Sequence, residues 1–473
     1  MEKSKLKVQE GGKTTQDVYD VIVVGGGASG MMAAGRAAEV GARVLLLEKN
    51  SKMGEKLKIT GGGRCNIANA EYDVHALLAH YGAAAKYLYS IFSRFGVADT
   101  FYFFEKRGLP LVIEGRKRAF PRTEKAIDVY NVLEEYIREG GVAVKTSSAV
   151  TRVNCEESND EEGSDHGNSS GQAVQGKQDE PASRIVSVSC GEKEYLGRTF
   201  IFATGGASHR ETGSTGDGFG WLRKLGHTVA SPTPSIVPLA VSDMWVKKLA
   251  GISVEEMKIV FFVDGVRDFS KKGRILFTHF GLSGPLILNS AQKVSDLLKS
   301  GTVTAAIDLF PAEDIGIFEK RVVAIFDANK NKMLKNVLGE ILPAGISKGI
   351  ESLVERLNKS NEGKAGENID LATKVHSVTR DDRKKLIRLL KSLPVTITGL
   401  MGNDRAVVSD GGVTLGEIDA RTCASKAVDN LFVTGDLLHI NRPSGGYSLQ
   451  LCWTTGYVAG EEAVTRARSF DSD

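Results

Sequence analysis

Three glycines and one acid carry the first chemical signal in this chain. Gly25, Gly27 and Gly30 follow the pattern G-x-G-x-x-G, and Glu48 stands one structural unit further on. In that pattern the first glycine permits a tight turn and the second lets a diphosphate approach the backbone. The third lets a helix pack closely on a strand. A carboxylate at Glu48 can accept both hydroxyls of an adenosine ribose and repels a 2′-phosphate, which favours FAD or NAD over NADP. Such glycines mean little alone in a chain that has 53 of them, so the flanking elements decide. Asp20-Val-Ile-Val-Val24 reads as a short buried strand, residues 28–39 as a helix with an alanine-rich face, and Ala42-Arg-Val-Leu-Leu-Leu-Glu48 as a second strand. The start of that helix, Ala28-Ser29-Gly30, offers unpaired N–H groups and partial positive charge to phosphates. Strand, helix, strand and acid in one unit predict an adenine dinucleotide site.

A second set of residues separates FAD from NAD. Asn430-Leu-Phe-Val-Thr-Gly-Asp436 reads as a strand ending in a glycine and an acid, and residues 447–467 as a helix opened by Gly445, Gly446 and Tyr447. FAD needs a second anchor, because its ribityl chain and isoalloxazine reach beyond the first turn. Gly435-Asp436 suits the ribityl and phosphate region. The helix start suits the flavin N1–C2 edge, where negative charge develops on reduction. The same residues also suit a plain turn into a packing helix. Thr199-Phe-Ile-Phe-Ala-Thr-Gly-Gly206 reads as a buried strand ending in Thr204, Gly205 and Gly206. It is too short to be a second dinucleotide unit.

Length and composition frame these sites. A chain of 473 residues suggests two or three domains. Hydrophobic content of 41% with 25% charge indicates a soluble globular protein. No apolar run approaches the roughly 18 residues that span a bilayer. Residues 1–16 read as a disordered leader without a signal core, so the expected location is cytoplasmic. No two of the five cysteines lie within three residues of each other, which excludes a C-x-x-C redox pair and zinc-type spacing; no metal is expected. The net charge of +3 demands no nucleic-acid partner. Residues 72–108 read as largely helical, 111–120 as a hairpin, 126–139 as a helix and 142–145 as a third parallel strand. Residues 150–202 read as an antiparallel excursion. Its middle, 156–182, is too poor in apolar residues to order itself and reads as a mobile hairpin tip. Short strand-like runs at 237–241, 258–263, 274–278 and 302–309 suggest a barrel or a sandwich. Residues 315–393 read as mostly helical, with 16 Lys and Arg against 10 Asp and Glu. That excess is a solvated face or, as the lesser reading, a nucleic-acid patch. Residues 394–398 return to strand.

Five motifs together carry a family resemblance. Thr60-Gly-Gly-Gly-Arg-Cys-Asn66, Ala203-Thr-Gly-Gly-Ala-Ser208, Gly213-Ser-Thr-Gly-Asp-Gly218, Phe277-Thr-His-Phe-Gly-Leu-Ser-Gly-Pro285 and Ser444-Gly-Gly-Tyr-Ser-Leu-Gln450 resemble the BaiN/RdsA-type flavoproteins, a family that includes aminoacetone oxidase-like members. The likeness runs over residues 17–463. It implies an α/β fold: a Rossmann-like FAD-binding domain of glutathione-reductase type, interrupted by a β-barrel and a helical insert. The expected division is a leader at 1–16, the FAD domain at 17–225 and 405–473, the barrel at 226–311, the helical part at 312–393 and a return strand at 394–404. Three positions depart from the family pattern. Gly62 stands where Asn is usual, Asp436 where Glu is usual, and His439-Ile440-Asn441 where Asp-Val-Asp is usual.

The resemblance also implies site roles. Arg64, Cys65 and Asn66 would lie beside the isoalloxazine. Arg64 would stabilise anionic reduced flavin, a task for a fixed cation in a dry site, and Asn66 would donate a hydrogen bond to the ring. Cys65 reads as a packed thiol more readily than as a redox group. His279 and Ser283 of the insert would reach the flavin from the substrate side; a structural His279 is the other reading. Arg64, Asn66 and His279 are thus the catalytic candidates, and Lys49 and Val150 complete the expected cofactor contacts. The activity expected is that of an FAD-dependent oxidoreductase moving hydride to or from flavin N5 on a small organic substrate. It would be an oxidase of amine type or an enone reductase with NAD(P)H as transient donor. The alternative is a flavin-bearing protein that binds or modifies tRNA through its basic insert.

Overall fold

The computed structural model describes residues 18–157, 183–234, 236–360, 368–402 and 409–470. The expected leader and nearly all of the expected mobile tip at 156–182 lie outside them. The chain divides into two units, residues 1–232 with 410–473, and residues 233–409.

The first unit is built on one seven-stranded sheet, in the order Ala143–Lys145, Val44–Leu47, Val18–Val24, Lys193–Phe202, Ser183–Cys190 and Arg152–Glu157, with Leu431–Val433 also pairing with Lys193–Phe202. The pairs through Val18–Val24 are parallel, with Val21 opposite both Val44 and Thr199. Val21 to Val24 and Val44 to Leu47 are buried without alternation, as expected of parallel strands covered on both faces. Lys193–Phe202 changes partner along its length. Lys193 to Leu196 runs antiparallel to Ser187–Cys190, while the rest runs parallel to Val18–Val24 and, from Phe200, to Leu431–Val433. Three parallel strands therefore end together, at Val24, Phe202 and Val433. In open α/β sheets that edge is where ligands bind. The hairpin read at 111–120 is present as Leu111–Glu114 paired with Arg118–Pro121, and Ala68–Asn69 adds a third strand to it.

Two helices cover the ligand edge of the sheet, Ala28–Glu39 and Tyr447–Ser469. They approach so closely that a Cβ on Gly456 would lie 2.4 Å from the Ser29 carbonyl oxygen. Gly456→Ala should therefore force the backbones apart and cost about 1–3 kcal/mol, the usual range for overpacking. The urea midpoint of the cofactor-free protein measures this. An unchanged midpoint would show that the two helices can separate freely.

The second unit holds a closed six-stranded barrel: Leu239–Val241, Gly281–Ser283, Val266–Phe277, Ser253–Val263, Val303–Asp308 and Leu393–Leu400. This settles the barrel-or-sandwich alternative. Burial alternates along Val303–Asp308, with Val303, Ala305 and Ile307 inside. Helices Ile315–Ala328, Leu334–Ile341, Ser347–Ser360 and Arg380–Lys391 lie between the last two strands in sequence. Val229–Pro234 pairs with Ser409–Val413, and the divisions fall there, a few residues later than the 225/226 and 404/405 read from sequence. No helix among the described residues is long and apolar enough to cross a membrane.

Candidate cofactor and active site

The turn after Val24 has little room on one side and open space on the other. A Cβ on Gly30 would sit 1.9 Å from the Gly25 carbonyl oxygen, so helix and strand meet through bare backbone. A Cβ on Gly27 would meet nothing within 4 Å. Gly27 caps the Ala28–Glu39 helix without any side-chain cap. The N–H groups of Ala28, Ser29 and Gly30 thus start a helix whose open flank is the one a diphosphate needs. Glu48 is buried. Its carboxylate accepts from Gly26 N–H at 2.7 Å and from Asn50 N–H at 2.8 Å. Those bonds fix its plane and leave each oxygen a second lone pair for a ribose hydroxyl. Next door, Thr204 follows the buried Ala203, whose N–H donates to Val24. Its Oγ1 is buried and has no hydrogen-bond partner among the described residues, an orphan of the kind that a bound group commonly satisfies. Gly205 and Gly206 continue this turn.

The end of Leu431–Val433 closes the same edge. Thr434 Oγ1 donates to Ser29 Oγ at 3.2 Å, and Gly435 N–H donates to Thr455 Oγ1 at 3.1 Å. Asp436 then lies between two cations that the motif reading missed. Arg442 donates to its Oδ1, and Lys56 Nζ lies 3.5 Å from Oδ2. Arg442 is almost wholly buried, its side chain 1% exposed, and it also donates to the Ile440 carbonyl at 2.6 Å and to Ser448 Oγ at 3.2 Å. Lys56 donates to Ser208 Oγ at 3.0 Å. Burial alone would raise the Asp436 carboxyl, but Arg442 and Lys56 outweigh it and hold the group below the ordinary carboxylate range. Two cations against one anion leave local positive charge beside the glycine cradle, which suits a diphosphate.

The flavin end of the expected site is braced by amides. Gly446 has φ 101°, and a Cβ there would lie 2.2 Å from the Ala68 carbonyl carbon. With its amide turned to satisfy both ends, Asn66 donates to the Ala68 and Ala119 carbonyls at 3.1 and 3.2 Å and accepts from Gly446 N–H at 3.0 Å. Both of its N–H groups are then engaged by backbone. Asn69 Nδ2 donates to the Gly445 and Arg116 carbonyls. Tyr81 Oη donates to the Tyr447 carbonyl at 2.9 Å. Arg64 donates to Glu114 and Glu124 and lies over the Phe120 ring at 4.3 Å, so two carboxylates balance its charge. Cys65 is fully buried, and burial pushes its thiol up to about 12; it is not a thiolate at neutral pH.

Three further expected residues have the following surroundings. Lys49 donates to Thr215 Oγ1 and, at 2.8 Å, to Asp217 Oδ2 at the start of the Asp217–Lys224 helix. Val150 is half-buried against the sheet core. His279 is exposed in the second unit, in the tight turn where Thr278 and Gly281 exchange backbone hydrogen bonds. The residues of the first unit fit an adenine dinucleotide with a second anchor: an open Gly27 flank, a fixed ribose acceptor in Glu48, an orphaned Thr204 hydroxyl and the Lys56–Asp436–Arg442 cluster.

Comparison with known proteins agrees. The family model described as HI0933-like protein Rossmann domain matches residues 19–462. A 3-dehydro-bile acid delta(4,6)-reductase of Clostridium scindens is 28% identical, over 94% of this chain and 98% of its own length. A ribosomal RNA dihydrouridine synthase of Escherichia coli is 27% identical, over 95% of this chain and 99% of its own. Among solved structures, a 3-ketosteroid delta1-dehydrogenase from Sterolibacterium denitrificans shares the fold, with a TM-score of 0.51 at 14% identity, covering 95% of this chain and 99% of that one. The chain belongs to the HI0933-like Rossmann family of FAD-dependent oxidoreductases.

Proposed function

We propose that this protein reduces a carbon–carbon double bond conjugated to a carbonyl in a cyclic small molecule, with NAD(P)H as the electron donor. One observation carries this reading. Two relatives that match nearly end to end bear names describing the same bond change. A delta(4,6)-reductase of a 3-dehydro compound saturates ring alkenes in line with a ketone. Dihydrouridine is uridine whose ring alkene, next to a carbonyl, has been saturated. Neither name describes amine oxidation. In the balanced reaction NAD(P)H loses a hydride and becomes NAD(P)+, while the alkene gains hydride at its β-carbon and a proton at its α-carbon.

FAD, when bound, supplies hydride acceptance and donation at N5. The chain's own residues hold and orient. Glu48 would hold the adenosine ribose, the Ala28–Gly30 N–H groups the diphosphate, and Asp436 with Lys56 and Arg442 the ribityl side. The helix start at Tyr447 would offer its dipole to the part of the flavin where negative charge develops. Arg64, with its charge already balanced, acts as a positioning residue that ties the 60–66 turn to the neighbouring hairpin. Arg64→Ala should retain FAD and slow flavin reduction by about tenfold or less, a barrier change of no more than about 1.4 kcal/mol. A loss of roughly 10²–10³ would instead put the guanidinium at the developing charge. Stopped-flow bleaching of the oxidised flavin separates the two.

The test of the function is anaerobic. NADH or NADPH should bleach the flavin, and a cyclic enone should restore its absorbance. Bleaching by amines, with no recovery on adding enone, would overturn the reading. A second reading, reduction of a uracil ring within RNA, is favoured by the dihydrouridine synthase relative and by the basic excess over residues 315–393. Salt-sensitive retention of RNA, with enones inert, would select it.

A further inference from the structure

We propose that Arg116 recognises an oxyanion of the substrate, a carboxylate or a phosphodiester, beside the reacting end of the cofactor site. The assignment rests on the function proposed above. Arg116 stands at the tip of the hairpin formed by Leu111–Glu114 and Arg118–Pro121. It and Lys117 are both left-handed, at φ 63° and 58°, a conformation that non-glycine residues adopt at a cost and that persists only where the surroundings impose it. Here they do. The Arg116 carbonyl accepts from Asn69 Nδ2 at 3.3 Å, and the Lys117 carbonyl accepts from Ala70 N–H at 2.6 Å. The same Asn69 nitrogen donates to the Gly445 carbonyl at 3.2 Å. The hairpin tip is thus pinned to the Gly445–Gly446 turn, which opens the long C-terminal helix at the expected flavin edge.

The cations on and around this small sheet differ in their partners. Arg64 is held by Glu114 and Glu124, Lys117 by Glu71, and Arg118 lies 3.8 Å from Glu114. Arg116 is exposed and has no carboxylate or hydrogen-bond partner for its guanidinium among the described residues. A guanidinium on a locked backbone is a pre-organised fork for a planar oxyanion, and ordering it loses little freedom beyond that of its own side chain. Arg64, Lys117 and Arg118 are thus engaged by carboxylates, whereas Arg116, at the tip pinned beside the Gly445–Gly446 turn, keeps its guanidinium for a ligand.

Binding to the oxidised holoprotein, read from the flavin absorbance, tests the assignment without turnover. The probes are a 3-oxo-4-ene steroid with a side-chain carboxylate, its methyl ester, a short oligouridylate and uridine. The wild type should prefer one charged probe over its neutral counterpart by roughly 10- to 100-fold, the worth of a charge-assisted hydrogen bond. A preference within the steroid pair identifies a carboxylate; one within the uridine pair identifies a phosphodiester. Arg116→Gly, which suits the left-handed backbone, should erase the preference and leave FAD content and binding of the neutral probe unchanged. Arg116→Lys should keep part of it. Equal binding of charged and neutral probes by the wild type would overturn the assignment. So would a loss in Arg116→Gly shared by charged and neutral probes, or loss of FAD from that variant. Discrimination in binding without any turnover of these probes would leave the assignment standing and refute the function on which it was placed.

Discussion

A Gly27→Val protein should fold normally and purify without colour. The added side chain meets no protein atom near its Cβ, and the backbone at Gly27 (φ −82°, ψ −170°) is open to any residue. The apo fold therefore has no reason to suffer. The same space is where a diphosphate must come to reach the N–H groups of Ala28, Ser29 and Gly30. Losing two charge-assisted hydrogen bonds, each worth about 1.5–3 kcal/mol, weakens binding by roughly 100-fold or more. Flavin absorbance per protein and the melting temperature of the apo form are the two measurements. Gly30→Val is the contrast, because its Cβ would enter the Gly25 carbonyl and the fold itself should fail. A yellow Gly27→Val protein would remove the diphosphate from this turn. Acid release of FMN in place of FAD from the wild type would remove the adenosine from Glu48.

The second large effect belongs to the Asp436–Arg442 pair. Asp436→Asn leaves a guanidinium with 1% side-chain exposure without a compensating anion, its contacts being neutral acceptors such as the Ile440 carbonyl and Ser448. Breaking a buried pair from one side costs about 3–5 kcal/mol, whereas removing both charges is often near neutral. Cofactor-free Asp436→Asn should therefore unfold at clearly lower urea. The double variant Asp436→Asn with Arg442→Met should recover most of the loss. The pH dependence has a definite sign. The folded carboxyl lies below its unfolded value of about 3.9. The pair's contribution is then complete above about pH 4 and fades as the pH falls through the folded value. The gap between wild type and Asp436→Asn should be flat from pH 7 to about 4 and close only below that. Equal midpoints at pH 7 would show that the pair contributes nothing to the stability of the cofactor-free fold.

The parts of this molecule that could be read from sequence are those with a repeat or a forced geometry. The apolar runs at Val21–Val24 and Leu45–Leu47 have no polar alternation, and their shortness and flanking glycines mark them as central parallel strands. Gly25, Gly27, Gly30 and Glu48 stand at spacings that a dinucleotide cradle requires and that few other turns need. The three-residue strand Gly281–Ser283, by contrast, has neither period nor composition to mark it. Arg442 and Lys56 were invisible because their partner, Asp436, lies across a turn from one and in a different part of the chain from the other. Arg64 shows the same limit from the opposite side. Its motif predicts a cation near the flavin, but nothing local reveals that Glu114 and Glu124 converge on it. Asn66 likewise reads as a free donor until folding places Gly446 N–H and two carbonyls around it. Ion pairs and amide bridges between distant segments are properties of the fold.

The partner change along Lys193–Phe202 has a consequence for the order in which the molecule can be made. Its upper half is completed on one side by Val18–Val24 and on the other by Leu431–Val433, and the 233–409 unit lies between those partners in the sequence. During translation, which adds about 5–20 residues per second, the ribosome delivers the whole barrel before the strand that finishes the nucleotide edge. The barrel pairs only strands from within its own stretch, so it can mature first. The nucleotide domain must wait with an open sheet edge, and its long-range pairing makes it the slow step. Nascent chains are thus most exposed to edge-to-edge association in the interval before Leu431 emerges, and cofactor capture belongs to the end of synthesis.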